Sequence, residues 1–286
     1  MTKLEYTFKT DILFKILFVK YPDLLKQLVC ELLGIKIENI EQFEITNPEM
    51  PPENMGDKFC RLDISMIVNK QRINLEIQVE RQKFYPERAL FNWAREYSTA
   101  LPVSGKYRNL PRTIVISIIN FNLFECSEYH SEFRPLEVNR YELLSDRMSL
   151  HFFELKKIPV NINEENMLLL WLSLFKADTV EELKKIETLE VPVMNQAINA
   201  YYNITAESEA RERIRLWEKA RRDEASFLDD AIEGEREKWQ AVVADKDAEW
   251  QTVVADKDAE WQTVVADKNA EIARLKAELE KRSTKK

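Results

Sequence analysis

The segment that decides the fold runs from Arg61 to Arg81, RLDISMIVNKQRINLEIQVER. It predicts two β-strands joined by a tight turn. Leu62, Ile64, Met66 and Val68 alternate along the first half, and Leu75, Ile77 and Val79 along the second. A period of two marks half-buried strands. The opposite face carries Asp63 on the first strand and Glu76, Gln78 and Glu80 on the second. Acids gathered on one side of a short hairpin repel one another and contribute nothing to folding. Such a local cost is usually tied to a metal or to chemistry.

Register decides which of these side chains meet. A two-residue turn at Asn69-Lys70 pairs Val68 with Gln71 and sets Asp63 opposite Glu76. A turn at Lys70-Gln71 sets Asp63 opposite Gln78 instead. A three-residue turn sends Asp63 to the other face, because a one-residue slip flips every side chain. Asn tolerates positive φ, so Asn69 favours the first arrangement.

The 286 residues suffice for one sizeable core with an appendage, or for two small domains. No apolar run reaches the roughly 18 residues of a membrane span, and the N-terminus lacks a signal-peptide pattern. Cys30, Cys60 and Cys126 are odd in number and widely spaced. They suit buried thiols in a reducing cytoplasm better than disulfides or zinc ligands. Residues 1–160 hold 22 Lys and Arg against 22 Asp and Glu, so the whole net charge of −8 lies beyond residue 160. A neutral domain can still present a basic cleft, and nucleic acid is not excluded. Two histidines, His130 and His151, leave little material for a His-rich zinc site or a Ser-His-Asp arrangement, and His130 reads as structural. Four scattered glycines form no phosphate-binding loop.

Before the hairpin, residues 10–33 read as helix, started by Thr10 or Asp11, divided at Pro22 and stopped by Gly34. Residues 35–46 alternate like a strand, and 47–58, with three prolines and a glycine, form a loop. After the hairpin, Phe84–Leu101 is a helix with an Ala89, Trp93, Tyr97 stripe and with Arg88, Asn92 and Arg95 on a neighbouring face. The continuous apolar run at 112–124 predicts a buried central strand. Segments 128–139 and 148–158 predict two more strands. The order implies an α/β core with a mixed central sheet flanked by helices over residues 1–160, and an all-α extension over 161–205.

Residues 206–286 read as one long helix. WQAVVADKDAE, WQTVVADKDAE and WQTVVADKNAE follow one another, which places Trp239, Trp250, Trp261 and Ile272 eleven residues apart. Eleven residues over three turns is close to the natural helical period, so the Trp/Val stripe runs nearly straight or in a slightly right-handed coil. At ~1.5 Å per residue the helix reaches on the order of 110 Å and cannot bury the stripe alone. It predicts a coiled coil, with a homodimer favoured. The acids in each unit argue against base stacking by the tryptophans and for packing.

Five stretches in order resemble the recombination-promoting nuclease/transposase family, whose core is a PD-(D/E)XK nuclease domain. They are TFKTDILFKILF with LLKQLVCELLG; RLDISMIV with INLEIQVE; FYPERALFNWAREYSTAL; GKYRNLPRTIVISIINFNLF; and EYHSEF with LHFFELKK. Together they cover residues 7–158. The resemblance implies a restriction-endonuclease-like fold and metal-dependent cleavage of DNA phosphodiester bonds in the cytoplasm. Carried over by position, Asp63 and Glu76 are metal-binding carboxylates, the Ile77 carbonyl is a third oxygen ligand, and Gln78 stands in the place of the superfamily lysine.

Physical chemistry agrees with this assignment. Mg²⁺, for which Mn²⁺ often substitutes, takes hard oxygen ligands and supplies charge to phosphodiester hydrolysis. Gln78 can orient a water but brings no charge; Lys15, Arg81 and Arg88 are the candidate sources of a cation. Lys15, Arg81, Arg88 and Arg95 are also the candidate nucleic-acid contacts, with Lys106, Arg108 and Arg112 further along the chain. The alternative is a catalytically weak, nuclease-like DNA-binding module whose coiled coil recruits partners. A full transposase is disfavoured by the lack of a basic helix-turn-helix for end recognition.

Overall fold

The computed structural model describes residues 2–48, 63–101, 105–160 and 164–283. Most of the loop expected at 47–58, together with Arg61 and Leu62, lies outside the described residues. The predicted N-terminal helix is two helices, α1 (Asp11–Lys20) and α2 (Pro22–Leu33). Pro22 opens α2, where a missing N–H costs nothing. Gly34 closes it at φ 64°, a left-handed conformation in which its N–H reaches back to the last turn.

The hairpin forms β2 (Ile64–Val68) and β3 (Gln71–Gln78), antiparallel, with Val68 paired to Gln71 and Ile64 to Leu75. The two-residue turn at Asn69-Lys70 is therefore the one adopted. Both residues have positive φ, 48° and 67°, as a twist-matched hairpin turn requires. Asn69 does more than tolerate this geometry. Its Oδ1 accepts from the Glu41 and Gln42 amides at 2.9 and 3.1 Å, and its Nδ2 donates to the Asn39 carbonyl at 2.7 Å. That capture of backbone groups explains why the strand expected over 35–46 shrinks to β1 (Phe43–Ile45), with a 3₁₀ turn at Ile37–Asn39 before it.

Helix α3 (Tyr85–Ser98) crosses to β4 (Thr113–Ile119), which lies parallel to β3. All seven residues of β4 are buried, as its unbroken apolar run predicts. Strands β5 (His130–Phe133) and β6 (Met148–Glu154) complete a six-stranded mixed sheet in the order β1-β2-β3-β4-β6-β5. One face packs α3 through Tyr85 and Ala89 against Val115, Ile119, Phe121, Leu150 and Phe152. The other face carries the larger core. There α1 and α2 meet α4 (Met167–Lys176), α5 (Val180–Glu187) and α6 (Pro192–Ala206) through residues such as Phe14, Phe18, Trp171, Phe175 and Tyr201. Thr179 caps α5 in a reciprocal box with Glu182.

Helix α7 (Ser208–Ser283) follows. Its first turns contribute Ala210 and Ile214 to the large core. Met1–Lys219 forms one compact unit and Ala220–Lys286 a second. Within the second, each repeat makes the same internal ion pair: Lys246–Glu249, Lys257–Glu260 and Lys268–Glu271, at 2.6, 2.8 and 2.9 Å. Trp250 and Trp261 are each 66% exposed. Among the described residues no helix is long and apolar enough to cross a membrane.

Candidate active site

The ladder ends at the Ile64–Leu75 pair, and the next residues along the two chains are Asp63 and Glu76. Both side chains stand on the α3 face of the sheet, with Ser65 and Asn74 beside them. Asn74 Nδ2 donates to Asp63 Oδ2 and to Ser65 Oγ. Asp63 Oδ1 is buried and has no hydrogen-bond partner among the described residues. The main chain here is pinned from behind. The Asp63 carbonyl accepts from Lys15 Nζ and from Asn47 Nδ2, both at 3.0 Å, while Asn47 Oδ1 takes the Ser65 amide at 2.7 Å.

Glu76 is only 8% exposed and is held by three donors. The Tyr85 hydroxyl donates to Oε1 at 2.5 Å, Ser117 Oγ to the same oxygen at 3.1 Å, and Arg88 Nη2 to Oε2 at 3.3 Å. Burial first, and then the neighbouring Glu76 carboxylate, push the Tyr85 phenol well above its ordinary range, so it remains a donor. The donors come from two elements: Tyr85 and Arg88 from the start of α3, Ser117 from β4 in register with Glu76.

Gln78 lies two residues further along β3 on the same face. Its Oε1 accepts from Arg88 Nη2 at 3.0 Å, and its Nε2 donates to the Glu80 carbonyl at 2.9 Å. The Gln78 carbonyl accepts from the Asn120 amide on the β4 side. Carbonyls alternate along a strand, so that of Ile77 faces the β2 side, next to Asp63.

The sequence left three cations unranked, and the structure separates them. Arg88 sits at the carboxylates. Lys15 is 1% exposed, underneath the hairpin, where it holds the Asp63 backbone and offers no surface to nucleic acid. Arg81 is exposed. Arg95 is half-buried one turn and more beyond Arg88, 3.4 Å from Asn92 Oδ1 and over the Phe91 ring.

The donor atoms here are all oxygen, which suits a hard divalent cation. The partnerless Asp63 Oδ1 is the observation that fits a cation best, since a buried carboxylate oxygen is costly without a partner. Among the described residues no group of three or more His, Cys, Asp or Glu is placed to hold a metal.

Sequence reasoning missed Tyr85, Ser117 and Asn74. Asn74 shares the period-two face of Glu76 and was legible on that ground. Ser117 interrupts the apolar run that follows Thr113 in TIVISII. Tyr85 gives no local signal, because only the packing of α3 brings it over the sheet. His130 and His151 are bonded to each other at 3.0 Å, and His130 stacks on Phe153, a residue of the large core on the sheet face opposite Glu76.

Residues 8–231 match the family model described as PD-(D/E)XK nuclease family transposase. No curated protein matches the chain, and no solved structure does.

Proposed function

Since the chain belongs to the PD-(D/E)XK nuclease family of transposases, which matches 8–231, we propose that it is a metal-dependent endonuclease acting on DNA in the cytoplasm. One observation carries this reading. The Asn69-Lys70 turn makes Asp63 and Glu76 the residues that follow the last pair of the hairpin ladder, and Asp63 keeps a buried oxygen with no partner among the described residues.

Asp63, Glu76 and the Ile77 carbonyl would hold Mg²⁺ or Mn²⁺. When bound, such an ion lowers the pKa of its water and offsets charge on the phosphate. The remaining chemistry falls to the chain. Tyr85 and Ser117 hold one oxygen of Glu76 and so fix its rotamer, with the other oxygen left to Arg88. Lys15 and Asn47 hold the Asp63 backbone against displacement. Gln78 orients polar groups at the end of β3 through its amide. We further propose that α7 brings two copies together, which suits cutting both strands of a duplex, and that the activity serves recombination or acts on mobile or foreign DNA.

The test is cleavage of supercoiled plasmid by purified protein with Mg²⁺, with Mn²⁺ and with EDTA, wild type beside Asp63→Ala and Glu76→Gln. Metal-stimulated nicking that both substitutions abolish is expected. Cleavage that survives both removes the site. The exposed Trp/Val stripe of α7 favours a second reading, a nuclease-like module that recruits partners. No metal-stimulated cleavage, together with a stable partner complex, selects it.

A further inference from the structure

We propose that Arg88 supplies the positive charge for the transition state, and that Gln78 is the acceptor that seats it. This deepens the nuclease reading and rests on it.

The guanidinium is gripped mostly by neutral groups. Nη1 donates to Gln82 Oε1 at 2.6 Å and Nη2 to Gln78 Oε1 at 3.0 Å, while the approach to Glu76 Oε2 is a longer 3.3 Å. The Tyr85 ring lies under it, 5.0 Å from centroid to Cζ. Its Nε is buried and has no hydrogen-bond partner among the described residues. A guanidinium seated on amides and an aromatic face keeps its charge available to an anion. The planar fork of a guanidinium matches phosphate oxygens. The side chain is 35% exposed, so a substrate can reach it.

This arrangement also accounts for Gln78. A lysine there would set an ammonium against Arg88; an amide oxygen accepts from it. Charge and acceptor have traded positions between β3 and α3. In hydrolysis the water oxygen bonds to phosphorus as the bond to the leaving sugar oxygen breaks. The electron pair stays on that oxygen, which takes a proton from solvent, and the attacking water releases one to solvent. Arg88 keeps its protons and stabilises the added charge on the non-bridging oxygens.

Two readouts test the proposal on the full-length protein. One is single-turnover cleavage with Mg²⁺. The other is duplex DNA affinity in EDTA as a function of salt. Arg88→Ala should slow cleavage about 10²–10³-fold, the loss typical of removing one preorganised charge-stabilising donor. It should also lower the salt slope by about one unit, the value of one phosphate contact. Arg88→Lys should keep most of both. Adding Gln78→Lys to Arg88→Ala returns a cation to within reach of the same point, and should recover at least about tenfold in rate, together with the slope. Thermal unfolding of each variant controls for folding, and a merely structural Arg88 is not rescued by a lysine on another element. Cleavage within about threefold of wild type, an unchanged slope, or no rescue overturns the inference while Asp63→Ala stays inactive. A wild type without metal-stimulated cleavage overturns the nuclease reading, and this inference with it.

Discussion

Tyr85, fully buried at the start of α3, donates its hydroxyl to Glu76 Oε1 at 2.5 Å and so ties the helix that covers the sheet to the carboxylate inside it. Tyr85→Phe keeps the ring contacts with Phe121 and Phe152 and removes the hydroxyl that makes this bond. Ser117 and Arg88 remain on Glu76. The expected cost is about 1.5–3 kcal/mol of stability, the range for a bond to a charged group. The metal-stimulated cleavage rate should fall as well, because Glu76 gains freedom to rotate. Urea midpoints and single-turnover rates check both; a variant as stable and active as wild type would sink the positioning role.

Asn69 is expected to be worth more than its turn propensity. Asn69→Ala places an alanine at φ 48° and abandons three hydrogen bonds to Asn39, Glu41 and Gln42. The combined loss is about 2 kcal/mol. Asn69→Gly keeps the backbone freedom and forfeits only the bonds, so it should fall between the two. Equal stability of the Gly and Ala variants would assign the whole effect to the bonds.

Protonation of the histidine pair gives a third expectation. His151 is pushed down to about 4, by burial first and against the opposing pull of Glu132; His130 is pushed down too, by burial. Ser149 Oγ at 2.7 Å and His130 at 3.0 Å complete its surroundings. Between the unfolded value near 6.5 and about 4, the unfolded chain holds a proton that the folded one lacks. Stability therefore falls as pH drops through that window and levels off below it, by up to about 3 kcal/mol. His151→Gln should flatten this limb relative to wild type. Urea midpoints at neutral pH and at mildly acid pH decide; parallel curves would exclude His151 as the source.

The hairpin was legible because period-two patterning and a single turn residue fix its register. The same arithmetic places Asp63 and Glu76 on one face of the hairpin. The central strand was legible from its unbroken apolar run. What escaped were relations between elements. Tyr85 reaches Glu76 only because α3 lies across the parallel strands, and Lys15 is drawn under the hairpin because α1 packs on β3. Likewise residues 35–42 alternate like a strand, yet the Glu41 and Gln42 amides go to a side chain nearly thirty positions away. Local pattern reports which face a residue takes, and says little about what later covers that face.

The repeats of α7 carry the last prediction. Trp239, Trp250 and Trp261, with the valines between them, line an exposed stripe, while the one lysine of each unit is paired with a glutamate of the same unit. That much aromatic and aliphatic surface on one helix favours association. A second copy presents the same spacing at every third turn. Trp250→Glu with Trp261→Glu places two charges in the stripe without touching Ala210 or Ile214, which belong to the large core. Core stability should therefore be unchanged, while light scattering should show the mass of the full chain falling from dimer to monomer. A truncation made for the same purpose must end beyond Lys219, since Ile214 is fully buried. An unaltered dimer in the double variant would move the interface off the stripe, and a monomeric wild type would remove the pairing proposed for double-strand cutting.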